Sequence, residues 1–219
     1  MSLPNLLTLF RLGSAPIFLI LFIGSGKNGV LVERGWVDAW TGLLLCLIVL
    51  SLSEISDVLD GILARRLNQV SDFGKLLDPY ADSTFRLSCY FAFASQAHGK
   101  WIPLWMVMIL LYRDLLVTVI RTFGVERRIF VHARASGKIK AIAQGSVVFI
   151  TLVVALVYGE DAVAYQSASG GPASSLAHTL MWVVTGVTAW SGWDYFWANR
   201  HLFQNSTTTN TPEQEPPSS

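Results

Sequence analysis

The stretch SEISDVLDGILARRLNQVSDFGKLLDPYADSTFR, residues 53–86, places six carboxylates between two apolar runs, LLLCLIVL (43–50) and CYFAFA (89–94). Asp57 and Asp60 lie three residues apart where the first run ends. Asp78 and Asp82 lie four apart where the second begins. At helical spacing each pair shares a face. Two antiparallel helices joined by a short connection therefore bring four carboxylates to one place. Fold and function both turn on what makes such a cluster tolerable.

The surrounding composition says which solvent the helices meet. Of 219 residues, 52% are hydrophobic and only 14% charged, against about 25% charged in an ordinary soluble domain. The deficit points to lipid, and the eight Trp and twelve Phe suit interfacial belts and lipid-facing surfaces. A net charge of +1 gives no ground for a polyanion, and no nucleic-acid partner is expected. Cys46 and Cys89 stand alone in apolar segments, without metal spacing or a disulfide framework. The first apolar stretch follows PNLLTLFR and shows no small-residue cleavage site, so no cleavable signal peptide is expected.

A membrane helix needs ~20 mostly apolar residues to cross a core of ~30 Å. Six stretches meet this length, approximately 5–24, 38–60, 79–98, 101–123, 137–158 and 176–198. Breaks such as GSGKNG (24–29) and SASGGPASS (167–175) separate them. The expected fold is all-α and integral to a membrane, with six transmembrane helices behind an N-terminal juxtamembrane amphipathic segment. Residues 1–203 form one membrane domain, and the polar tail 204–219 is expected to be disordered. With the N-terminus inside, one side receives eleven Lys and Arg and the other only Lys27, Arg34 and Lys100. The positive-inside bias then puts both termini and the aspartate cluster in the cytoplasm, a bacterial inner membrane being the default.

A charge near hydrocarbon costs about 2.5–3.5 kcal/mol at a helix centre and less near the interface. Four unpaired anions also repel one another, so bound divalent cations are the natural compensation. An all-oxygen donor set without His or Cys favours Mg²⁺ or Mn²⁺ over Zn²⁺. The blander reading is that the aspartates cap helices or pair with Arg65, Arg66, Lys75 and Arg86. Gly61, Ala64 and Gly74 leave room for a flat or bulky ligand near the backbone, or serve helix packing. Arg65 either clamps a phosphate or anchors the positive-inside face.

Asp57, Asp60, Gly61, Ala64, Arg65, Gly74, Asp78 and Asp82, at this spacing, resemble the complete motif of the CDP-alcohol phosphotransferase family. The resemblance implies six transmembrane helices and a transfer in which a second alcohol displaces CMP from a CDP-linked alcohol. It implies that Asp57, Asp60, Asp78 and Asp82 hold two divalent ions, Mg²⁺ or Mn²⁺. Asp82 would also be the catalytic base for the attacking hydroxyl. Gly61, Ala64 and Gly74 would accommodate the cytidine, with Arg65 near the donor phosphates.

Outside that motif, Pro4-Asn5-Leu-Leu-Thr8-Leu-Phe-Arg11 is similar to the opening of the phosphatidylglycerophosphate synthases, whose juxtamembrane helix lies near the donor. This adds Asn5 and Thr8 to the expected donor site. Arg113-Asp114, Arg121 and Gly137-Lys138-Ile-Lys140 with Gln144 also resemble that group. Arg113, Arg121, Lys138 and Lys140 are thus candidates for an acceptor phosphate, which arginine binds bidentately. Arg113 and Asp114 could equally form structural ion pairs. The substrates implied are CDP-diacylglycerol and glycerol 3-phosphate among membrane lipids, and a homodimer is the assembly the resemblance suggests. The chain departs from the pattern after Asp82, where Ser83-Thr84-Phe85-Arg86 replaces the usual Lys, and after Lys140, where Ala replaces the usual Thr. Inositol phosphate, serine or a lipid alcohol as acceptor, and a cation transporter in place of an enzyme, remain the alternatives.

Overall fold

In the computed structural model the described residues are 3–67, 72–95, 97, 101–126, 135–159, 163 and 172–200. Within them only the backbone is described for 3–4, 60–67, 72–76, 125–126 and 172–177. The expected disordered tail and the basic residues Arg127, Arg128 and Arg134 lie outside the described residues.

Among the described residues the chain forms helices α1 (Leu3–Gly24), α2 (Val30–Glu33), α3 (Ala39–Leu67), α4 (Asp72–Ala94), α5 (Leu104–Glu126), α6 (Ala135–Tyr158) and α7 (Pro172–Asn199). Apart from the single-turn α2, these match the six expected apolar stretches. Residues 4–11, the expected juxtamembrane segment, lie within α1 and continue without a break to Gly24. Helix α3 begins on Asp38, whose carboxylate accepts from the Thr41 amide at 3.3 Å and from its hydroxyl. That capping of free N–H groups holds the Asp38 carboxyl below its ordinary pKa, the Thr41 hydroxyl contributing most. Helix α6 stops at Gly159, whose φ of 86° is open to glycine at no steric cost.

Among the described residues three helical segments are long and apolar enough to cross a membrane: Asn5–Gly24, Ala39–Leu59 and Ala135–Tyr158. Helices α4 and α5 fall short because they carry Asp78, Asp82 and Arg86, and Arg113, Asp114 and Arg121. Helix α7 is diluted by Ser, Thr, Gly, His and Asp. The outward faces are nevertheless apolar, with Ile17, Ile20, Ile48, Leu52, Ile142, Trp182 and Trp190 all exposed. A water-soluble monomer rarely shows so extended an apolar surface, whereas it suits lipid.

Helix α1 packs on α3 and α4, α7 packs on α5 and α6, and the two groups are joined where α6 meets α3 and α4 and where α5 meets α4. At the end away from the aspartates, Phe22, Phe93 and Trp101 form an aromatic cluster with ring centroids 5.1–5.5 Å apart. A Cβ at Gly42 would overlap Ser25, so the approach of α3 to the end of α1 requires glycine there. Cys46 and Cys89 are free and buried, as their apolar settings imply.

Candidate active site

The chemistry-bearing residues fall in the first halves of α1 and α6, about the middle of α4 and α5, and in the last halves of α3 and α7. With successive long helices alternating in direction, that places them from the middle of the bundle toward one end, in two groups of opposite sign.

The acidic group lies between α1, α3 and α4. Arg11, its side chain only 2% exposed, directs Nη1 to Asp57 Oδ1 at 3.0 Å and also to Asp82 Oδ1. Thr8, one turn earlier on the same face, donates its hydroxyl to Asp78. Arg86 Nη2 lies 3.8 Å from Asp82 Oδ2, one turn along α4. Ser56 Oγ, next to Asp57, donates to the Leu7 carbonyl at 3.2 Å, fixing α1 against α3. Helical spacing does gather Asp57, Asp78 and Asp82, and an α1 arginine draws them together.

The second group lies between α4, α5, α6 and α7, with its sign reversed. Lys140 Nζ, 3% exposed, is 2.6 Å from Asp114 Oδ1. Arg113 Nη1 meets the same oxygen at 3.0 Å, and its Nη2 donates to Ser191 Oγ at 2.7 Å. Ser83 Oγ donates to the other oxygen, Asp114 Oδ2, at 2.9 Å. A Cβ on Gly192 would stand 3.0 Å from Arg113 Cγ, so the absence of a side chain there lets the arginine lie flat against α7. Gln144, one turn after Lys140, donates to Thr188 Oγ1 at 3.2 Å, and its carbonyl accepts from Tyr90 OH at 3.0 Å. The paired-ion reading of Arg113 and Asp114 therefore describes what they do here. Buried ions need such partners, because losing one partner is far more costly than the pair is favourable.

The other expected site residues divide. Asn5 is half-buried one turn before Thr8. Arg121 joins neither group: its Nε donates to Tyr195 OH at 3.3 Å and its guanidinium lies 6.0 Å from that ring. Lys138 is exposed, as a residue two positions from buried Lys140 must be on a helix. Asp60, Gly61, Ala64 and Arg65 lie on α3 and Gly74 on α4, but their side chains fall outside the described residues. Ser83 entered the sequence analysis only as part of the departure after Asp82, and its partner Asp114 comes from the approach of α4 to α5. Ser191, Gly192 and Tyr195 carry no motif, and only the approach of α7 to α5 gives them partners.

Among the described residues no group of three His, Cys, Asp or Glu is arranged as a metal centre, with the Asp60 side chain not among them. The donor set is nonetheless of the right kind. Two carboxylates from two helices meet Arg11, and a third, Asp78, takes the Thr8 hydroxyl from the same face of α1; among the described residues no His or Cys joins them. Such oxygens suit a hard divalent ion, so the residues fit the metal the resemblance implies.

The sequence pattern of the family described as CDP-alcohol phosphatidyltransferase matches residues 1–190. The chain is 31% identical over 198 residues to a Streptomyces coelicolor protein named cardiolipin synthase (CMP-forming), covering 90% of this chain and 79% of that one. It is 33% identical over 205 residues to the Bacillus subtilis CDP-diacylglycerol–glycerol-3-phosphate 3-phosphatidyltransferase, covering 94% and 98%. A Sodalis glossinidius protein of the same name is 29% identical over 208 residues, covering 94% and 99%. With its eight motif positions and near full-length likeness, the chain belongs to the CDP-alcohol phosphatidyltransferase family.

Proposed function

We propose that this chain is a membrane transferase that moves the phosphatidyl group of CDP-diacylglycerol to glycerol 3-phosphate, giving phosphatidylglycerophosphate and CMP. The observation that carries the reading is the meeting of the two charge groups at consecutive residues of α4. Asp82 belongs to the acidic group and Ser83 to the group holding Arg113 and Lys140. A reaction joining an activated phosphate to an anionic alcohol needs such a neighbourhood. Near full-length relatives bearing that enzyme's name support the choice of acceptor.

In the proposed step the acceptor hydroxyl oxygen forms a bond to the phosphatidyl phosphorus. The bond from that phosphorus to the oxygen of CMP breaks, and CMP leaves with the electron pair. Asp82 takes the hydroxyl proton. Asp57, Asp60, Asp78 and Asp82 would hold two divalent ions, Mg²⁺ or Mn²⁺. When bound, such ions neutralise pyrophosphate charge and acidify a nearby hydroxyl. Arg65, Gly61, Ala64, Gly74, Asn5 and Thr8 are assigned to the donor. Arg113 and Lys140 are assigned to the acceptor phosphate, which would displace part of their contact with Asp114; Arg121 and Lys138 lie further out and assist its approach. In the same reading all six long helices cross the membrane, both termini face the cytoplasm of a bacterial cell, and the enzyme is a homodimer.

A lipid alcohol as acceptor is the second reading, favoured by the likeness to the cardiolipin synthase (CMP-forming). Purified protein supplied with CDP-diacylglycerol, a divalent ion and a panel of acceptors separates the two. CMP release with glycerol 3-phosphate is expected. Release only with phosphatidylglycerol would replace the acceptor, and no release with any alcohol would remove the enzyme reading.

A further inference from the structure

Arg11 stands where a metal-binding cluster needs positive charge. Its Nη1 reaches Oδ1 of both Asp57 and Asp82, and the side chain is almost fully shielded from solvent. Carboxylates near hydrocarbon require a counter-charge, and a buried guanidinium requires carboxylates. The oxygens that hold it are the same hard donors that would hold a divalent ion. Both cations cannot use Asp57 Oδ1 and Asp82 Oδ1 in full.

We propose that Arg11 is the counter-cation of the metal-free site, and that loading a divalent ion displaces its guanidinium from Asp57 and Asp82. The proposal rests on the reading above that these aspartates bind divalent ions. The main chain around Arg11 is held in place: Ser14 Oγ donates to the Arg11 carbonyl at 2.7 Å, and Thr8 and Leu7 are tied to Asp78 and Ser56. Displacement is therefore a change of side-chain rotamer on a fixed helix.

Charge arithmetic gives the exchange a purpose. Four carboxylates are matched by two divalent ions alone, which leaves Arg11 and Arg86 in excess. Two surplus guanidiniums beside a loaded metal site are what an incoming pyrophosphate lacks. Arg11 would thus be a positioning residue that orders the events, ions before donor.

The test measures Mn²⁺ binding to the full chain in detergent without substrates, from the loss of the free-ion electron paramagnetic resonance signal. Unfolding temperature is followed in parallel. R11Q is expected to bind Mn²⁺ about tenfold tighter, the scale of one charge-assisted hydrogen bond. It should be less stable than the unaltered protein without metal and regain that stability at saturating Mn²⁺. Lysine is a point charge without the planar fork, so R11K should release the carboxylates more easily and bind with intermediate affinity. R86Q removes a cation whose nitrogen is 3.8 Å from Asp82, and should change affinity less. Unchanged or weaker binding in R11Q and R11K would overturn the proposal, as would an equal gain in R86Q. Should R11Q not fold, R11K decides alone. Failure of the unaltered protein and every variant to bind Mn²⁺ would remove the metal reading and this inference with it. Binding by the unaltered protein with no gain in the variants would remove only this inference.

Discussion

The two polar groups toward one end of the bundle invert each other's charge. Between α1, α3 and α4, two carboxylates share Arg11 and a third holds the Thr8 hydroxyl; between α4, α5, α6 and α7, two cations share Asp114. Residues 82 and 83 are successive on α4, about 100° apart around a helix, and so serve one group each. In the proposed reaction the first arrangement would take the cations, and the second an anion once Asp114 yields part of its hold. A transferase that joins a metal-bound pyrophosphate to a phosphorylated alcohol requires both, separated yet adjacent.

The sharpest way to break this pairing is Asp82→Asn, which keeps the shape of the acidic group and removes its base. CMP release is expected to fall by about 10²–10⁴-fold while the protein stays folded, because Arg11 keeps its contact with Asp57; retained turnover would remove Asp82 from that role. Lys140→Met strikes the opposite group. It should raise the KM for glycerol 3-phosphate by about 10–100-fold, the scale of a lost charged hydrogen bond, and leave the KM for CDP-diacylglycerol nearly unchanged. Equal change in both constants would show that the groups do not divide donor from acceptor.

Gly192→Ala asks a finer question. A methyl group 3.0 Å from Arg113 Cγ forces the guanidinium to shift from Ser191 and Asp114, and overpacking of this kind costs about 1–3 kcal/mol. A several-fold rise in acceptor KM with the donor KM unchanged is expected. The smallest effect belongs to Asp38, remote from both groups. Its carboxyl is held below the ordinary range in the folded protein, so its stabilisation is present at neutral pH and fades below about pH 4 as the folded-state group protonates. Asp38→Ala should lower the unfolding temperature slightly at pH 7, and the difference should vanish in acid.

Much of the first group was legible because it is local in sequence. The pairing of Asp57 with Asp60, and of Asp78 with Asp82, is set by helical period along the sequence, and the nearness of Asp57 to Asp78 and Asp82 follows from a short connection. The role of Arg11 was less visible: the eight-position motif does not contain it, and its sequence separation from Asp82 exceeds seventy residues. The second group was legible only as unplaced cations. Arg113 and Lys140 meet on Asp114 because α5 and α6 both pack on α7, whereas Arg121, equally conspicuous in the sequence, turns to Tyr195. Ser191 and Gly192 are ordinary small residues of an apolar helix until α7 presses on Arg113.

Taken alone, the sequence determined the helices, their apolar faces, the acidic cluster and the class of ion that cluster suits. These depend on periodicity and on the cost of charge in hydrocarbon, both properties of neighbours along the chain. Only the tertiary structure decided which cation answers which carboxylate. Lys, Arg, Asp and Glu side chains reach across helices, so their partners are set by which helices touch and at what height, and that is a property of the packed bundle.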